Sequence, residues 1–284
     1  MPKLARSNQN PTISGDELFM ESFPVHPMVA VFIALPINND PQNMEIRLKK
    51  ARANLHVTAT SVPKKDGKWV LGGLPCGMAA RRILLYIFAE AYQTGNTSLA
   101  FGNGSRQDIL YKLGYRQASS LQGNHPLFRQ LVRIQRIAIK FENPKDNEQC
   151  GFSLKNYSDN MLGVRRDNDG EIIEGPFLNP NFLFNMAFPV DFNHVIGTDK
   201  KNRFWNVYMF LIDVLPRIEK GKVKEISWSL VHDVFYHRPA NLAHFKFYFK
   251  KEVEDVINIY PKADGKVIMN DKTYLKLKHA PPPI

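Results

Sequence analysis

Cysteine is nearly missing from this chain: Cys76 and Cys150 are the only two in 284 residues. That excludes a disulfide framework and a structural zinc site built from several thiolates. Long apolar runs are missing too. The two best, Met28–Pro36 and Trp205–Leu215, fall short of the roughly 18–20 residues a membrane span needs, and the second contains Asp213. No apolar stretch follows the opening MPKLARSNQN, so no secretory signal is expected. The Asn-x-Ser/Thr triplets at Asn96, Asn103 and Asn156 then read as chance matches, and a reducing cytoplasm is the expected location.

Acidic residues are the other shortage. Only 27 Asp and Glu face 38 Lys and Arg, which gives a net charge of +11 and a pI near 9.5. That balance predicts a polyanion or an anionic surface as partner and says nothing about fold. Hydrophobic residues at 44% and aromatics at 11% suffice for a real core, which excludes a chain disordered throughout. The length admits one large domain or two ordinary ones.

Catalytic and cofactor motifs are also lacking. Gly102-x-Gly104 has neither the third glycine of a dinucleotide fingerprint nor a P-loop lysine, and reads as N-cap chemistry. His232, His237 and His244 have no metal-site spacing. Asp167-Asn-Asp169-Gly lacks the rest of a calcium loop and reads as a polar turn. Cys76 lies between Pro75 and Gly77 at a helix start and reads as a small, half-buried residue. No nucleophile–base grouping and no acidic metal-binding cluster are legible, so no enzyme, metal or cofactor is expected.

What is present is a repeated order of elements. Residues 1–27 read as a disordered tail. Met28–Leu35 is a short apolar stretch and a candidate contributor to a homodimer contact. The alternation Leu55-His-Val-Thr-Ala predicts a strand, and Lys64-Lys-Asp-Gly a turn before Trp69. Ile83, Leu84, Ile87, Phe88 and Ala91 predict a helix over about Met78–Gln93, stopped by Gly95. Thr97–Phe101 reads as a short strand. Ser105 is a natural N-cap for a helix over Arg106–Leu113 that Gly114 ends. Beyond the polar connector 119–124, another helix starts near Pro126 and runs to about Ala138. Ile137–Glu142, Gln149–Lys155 and Phe177–Phe184 then alternate as strands, with a polar loop at Tyr157–Gly175. Helix, strand, helix, connector, helix and hairpin is the order of a winged helix.

The order returns after a boundary near Pro189. Phe204–Ile218 reads as a helix with Tyr208, Leu211, Ile212 and Leu215 on one face. Glu225–Trp228 reads as a strand, Ser229–Phe235 as a short helix and Ala240–Ile257 as a long one. Asn258–Tyr260, Lys266–Met269 and Tyr274–Leu277 are strand-like. The expected fold is α+β, with two tandem winged-helix domains at 28–188 and 189–284.

Charge falls on these elements unevenly. Asn103–Lys140 carries Arg106, Lys112, Arg116, Arg129, Arg133, Arg136 and Lys140 against Asp108 alone. Residues 1–190 hold 22 basic and 16 acidic residues, so the surplus of that half equals the surplus of this one stretch. Arg129, Arg133 and Arg136 stand at i, i+4, i+7 and share a helix face. Leu127, Leu131 and Ile134 repeat that spacing two residues earlier, about 200° around the helix. The arginines therefore lie opposite the apolar stripe. A merely solvated face would mix signs, and no acid balances these three, which favours nucleic acid. Candidate DNA contacts in this half are Arg106, Arg116, Ser119, Ser120, Gln122, Asn124, His125, Arg129, Arg133 and Arg136, with Arg165 and Arg166 in the wing loop.

Residues 191–284 hold 16 basic and 11 acidic residues. No acid interrupts 238–251, which contains Arg238, Asn241, His244, Lys246, Lys250 and Lys251. Leu242, Phe245, Phe249, Val253 and Val256 form a core face, with His244, Tyr248 and Lys251 roughly opposite. Glu252, Glu254 and Asp255 gather at the far end, where the helix would leave the DNA. Lysines and arginines would anchor phosphates, while Gln122, Asn124, Arg129, Arg133 and Asn241 are candidates for base readout.

The stretch GLPCGMAARRILLYIFAEA at 73–91 resembles a signature of the plasmid-encoded RepA-type replication initiators. RQLVRI at 129–134 is similar to the block that follows it in that family. Phe245-x-x-x-Phe249, Tyr260-Pro-Lys-Ala263 and the closing Leu277-x-x-Ala-Pro-Pro-Pro-Ile284 keep the family's order, so the resemblance spans about 29–284. Cys76 replaces the usual aromatic, Tyr236 stands where a glycine usually ends the short helix, and 157–175 lengthens the first wing. The resemblance implies tandem winged helices that bind directly repeated origin sequences (iterons), help open the duplex, recruit host replication proteins and repress their own promoter as dimers. It implies no enzymatic activity. The residues alone leave an alternative open, a dimeric winged-helix transcriptional regulator on a palindromic operator.

Overall fold

The computed structural model describes residues 25–50, 53–59, 62–63, 69–70, 72–94, 110–115, 126–134, 137–142, 151–152, 162–166, 172–178, 188–196, 200–235 and 241–284. Its helices and small antiparallel sheets make a mixed α+β fold. The apolar stretch after the tail is helix α1, Pro27–Ala34. Pro27 sits in its first turn, and His26 Nδ1 caps it by accepting the Met28 N–H at 3.2 Å. Met28 through Leu35 are each at most 1% exposed. A helix apolar on every side belongs in an interior. This corrects the expectation of a dimer contact there, because the chain's own helices already cover the segment. Val25 is buried as well, so the packed region starts inside the expected tail.

Strands β1 (Glu45–Lys50) and β2 (Ala53–Ala59) form an antiparallel pair with Ile46 opposite Val57. Val62–Pro63 and Trp69–Val70, β3 and β4, pair with each other. Helix α2 spans Gly77–Thr94, within one residue of expectation at each end. Gly73 lies before it at φ +69°, where a Cβ would stand 2.6 Å from the Asp40 carbonyl oxygen. Helix α3, Pro126–Ile134, stops four residues short of Ala138. Ile137 instead starts strand β5, Ile137–Glu142, whose β-branched residues join the ladder beside β2. With β6, Gly151–Phe152, the sheet order is β1-β2-β5-β6.

The expected loop at 157–175 is corrected. Its backbone pairs as a hairpin of β7 (Leu162–Arg166) and β8 (Ile172–Leu178), with Arg165 opposite Glu174. Polar composition concealed it, since a hairpin is closed by backbone hydrogen bonds whatever the side chains carry. The third expected strand, Phe177–Phe184, accordingly begins at Ile172.

The second half begins with α4 (Phe192–Ile196) and α5 (Asn202–Val214). A 3-10 turn, Leu215–Arg217, follows α5 where Pro216 ends the regular helix. Every residue from Phe204 to Val214 is buried, not one face alone, because α1 covers one side and a later helix another. Then come β9 (Val223–Ser227), α6 (Trp228–Val234), α7 (Leu242–Ile257), β10 (Val267–Ile268) and β11 (Tyr274–Lys278). The three strands form one antiparallel sheet in the order β10-β11-β9. Asn258–Tyr260 is not a strand. The Ile259 and Tyr260 N–H groups both bond back to the Val256 carbonyl, and Tyr260 is fully buried with its hydroxyl donating to the Pro281 carbonyl at 2.7 Å.

One apolar cluster runs from Val25 to Ala280 across both halves. Two buried polar groups cross it. Arg81 on α2 is 0% exposed and donates to the Leu35 carbonyl at 2.7 Å, the Pro36 carbonyl at 3.2 Å and Asn206 Oδ1 on α5 at 3.0 Å. The Asn206 Nδ2 amide donates in turn to the Ile33 carbonyl at 3.3 Å. The guanidinium thus sits at the carbonyl end of α1, the negative pole of its dipole. Burial lowers its pKa to about 10. At the other end of α1, Asp213 Oδ2 accepts the His26 N–H at 2.6 Å and Arg217 Nη2 at 2.7 Å. Burial outweighs these donors and pushes the Asp213 carboxyl up to about 6.

Candidate nucleic-acid interface

Helix α7 is the longest of the second half, and its two faces are sharply divided. Asn241 caps it, with Oδ1 accepting the Ala243 N–H at 2.8 Å and the His244 N–H at 3.4 Å. Phe245 and Phe249 are 4% and 2% exposed and meet Phe235 at ring distances of 5.4 and 5.6 Å. Trp228 adds an edge contact to Phe249 at 5.6 Å. These rings and the buried Val253 and Val256 fix the inward face. His244, Lys250 and Lys251 are exposed; His244 and Lys251, seven residues apart, lie almost in line along the helix, with Lys250 beside Lys251 on the same outward half.

Neighbouring elements enlarge the cationic surface. Arg203 of α5 stands over the Tyr248 ring at 4.7 Å. Exposed Lys201 precedes it, and Lys200 pairs with Asp255 at 3.0 Å. A cleft of about 670 Å³ opens here, lined by Ile37, Met78 and Tyr248, by the cations Lys200, Lys201, Arg203 and Lys251, and by the carboxylates Glu252 and Asp255. Toward the far end of α7, burial and then the adjacent Asp255 raise the Glu252 carboxyl above its ordinary range.

Five of the expected contact residues thus share one helix and its cap, with different duties. His244, Lys250 and Lys251 face outward. Asn241 gives its oxygen to the helix cap and keeps only its amide nitrogen for a ligand. Lys246 leans the other way, over the Trp228 ring at 5.3 Å and onto the Lys272 carbonyl, against the sheet.

The first half is used differently. On α3, Leu127, Leu131 and Ile134 are buried as expected, and Arg129 is exposed. Arg133 is half-buried, and its Nη1 donates to the Leu74 carbonyl and to Cys76 Sγ, each at 3.4 Å. Gln130, 8% exposed, accepts the Cys76 N–H at 2.8 Å and donates back to Sγ at 3.4 Å. Cys76 is 6% exposed, buried further than its expected half. Arg136 is outside the described residues, and of the expected three-arginine face the structure describes Arg129 and Arg133. Arg165 and Arg166 lie on strand β7. Arg106, Arg116, Ser119, Ser120, Gln122, Asn124, His125 and Arg238 are outside the described residues.

Arg203, Lys200 and Lys201 were missed, because they join α7 only through tertiary packing and share no period with it. Phe247, 67% exposed, was also missed. In FKFYF it alternates with two core phenylalanines, but the 245, 249, 253, 256 spacing leaves it outside. Among the described residues no cluster of His, Cys, Asp and Glu could hold a metal, and no helix is long and apolar enough to cross a membrane. Comparison with family models, curated proteins and solved structures returned no match.

Proposed function

We propose that this chain is a sequence-specific duplex-DNA-binding protein of the plasmid replication-initiator type, built from two winged-helix units. The carrying observation is α7: acid-free from Asn241 to Lys251, rigidly seated by aromatic packing, and outwardly cationic. Strands β10 and β11 follow it as an antiparallel pair, and β11 also pairs with β9, which precedes it, as expected for the wing of a winged helix. In this reading α7 lies in the major groove, while Lys200, Lys201 and Arg203 hold flanking backbone phosphates. The signature-like stretch at 73–91 supports the initiator assignment; it forms the start of α2 and supplies Arg81. The protein performs no chemistry of its own. It binds repeated origin sequences, helps open the duplex and presents itself to host replication proteins. A footprint on the DNA flanking its own gene tests this. Protection of short direct repeats is expected. A single protected palindrome would favour the transcriptional-regulator alternative, and no protection would remove the proposal.

A further inference from the structure

A phenylalanine stands in the middle of the cationic face of α7. Phe247 is 67% exposed, whereas Phe245 and Phe249, two residues to either side, are buried. Ala243, His244, Lys250 and Lys251 surround it at three and four residues' distance. Its ring meets Tyr248 edge-on at 5.6 Å, and Tyr248 is itself 39% exposed. Phosphate contact needs no apolar ring at this position. Nor does the setting suit a protein partner, because lysine is depleted from the centres of protein–protein interfaces. The floor of the major groove offers one apolar group among polar base edges, the 5-methyl of thymine, and phenylalanine is a known match for it.

We infer that Phe247 is a specificity-determining residue that reads a thymine 5-methyl group in the major groove. His244, Lys250 and Lys251 frame it with contacts to base edges and phosphates. The inference rests on the duplex-binding reading above and sharpens it to a requirement for thymine under the centre of α7.

Selection of the full-length chain on a randomised duplex pool provides a preferred site. Each thymine of that site is then replaced in turn by uracil, which removes the methyl and leaves the base pairing intact. For the wild type, at least one replacement should weaken binding by roughly fourfold, the worth of one buried carbon group. Phe247→Ala should bind the thymine site more weakly by a similar factor and no longer distinguish thymine from uracil there. Its thermal unfolding should match the wild type, since the ring is exposed. Methyl-independent binding at every position, or undiminished methyl dependence in Phe247→Ala, would overturn the inference while leaving DNA binding intact. So would a lower sedimentation mass for Phe247→Ala without methyl dependence, which would assign the ring to a second copy. If the wild type enriches no duplex at all, the duplex-binding reading itself falls and the inference falls with it.

Discussion

Helices α3 and α7 both follow a connector and both carry cations, yet they use them in opposite ways. On α3 the guanidinium of Arg133 turns back to the Leu74 carbonyl and the Cys76 sulfur. On α7 aromatic rings do the packing, and His244, Lys250 and Lys251 stay outside. Arg81 is the extreme of the first type, wholly buried and bound by carbonyls and one amide. A charge surplus therefore does not measure a binding surface. Arg81 and Arg133 of the first half help hold the fold together, whereas His244, Lys250 and Lys251 of α7 stand exposed.

The largest expected effect lies at the inward extreme. Arg81→Met should lower the unfolding free energy by about 3 kcal/mol or more, because several buried acceptors lose their donor together. Denaturant unfolding measures it, and a loss below about 1 kcal/mol would make the buried arginine incidental.

Asp213 supplies the next effect. Its folded pKa, about 6, lies above its ordinary value of 3.8. Its protonation thus favours the folded state below the ordinary value, and that contribution is lost as pH rises through about 6. Relative to Asp213→Asn, the wild type should lose roughly 2.4 kcal/mol between pH 4 and pH 7. His26, lowered to about 4 by burial and then by Arg217, works in the opposite sense, adding stability as pH rises. The wild type should therefore look nearly flat over this range, while the variant gains stability with pH. Parallel curves for the two proteins would show that Asp213 titrates normally.

The smallest effect separates two arginines on one helix. Arg133→Ala should cost about 1 kcal/mol of stability, and Arg129→Ala less than about 0.5 kcal/mol. DNA affinity should fall more for Arg129→Ala than for Arg133→Ala. Equal loss of affinity with no loss of stability for either would return Arg133 to the outward face.

Much of this was legible in the sequence, for physical reasons that can be named. Helix α2, strand β5 and the second-half order of helix, strand, two helices and two strands came from periodicity, which half-buried elements must show. Helix α1 carries no period because it is buried on all sides. The β7–β8 hairpin is decided by its backbone, and charged composition masked it. The outward face of α7 followed from its wheel. The inward turn of Arg133 did not, since a wheel places Cβ while a long side chain can reach back over its own stem. Arg81 left no signal at all: what it binds comes from α1 and α5, far away in sequence.

The most direct test is the salt dependence of binding between the full-length chain and the duplex beside its own gene. Lys250→Ala/Lys251→Ala serves as the comparison. If about six phosphates are neutralised, log K should fall against log salt with a slope of about −5, and the double variant should be shallower by roughly 1.8. The unfolding free energy of the double variant should stay within about 0.5 kcal/mol of the wild type. A flat salt response, or a wild-type slope in the double variant, would contradict the assignment of α7 as a DNA-contacting helix.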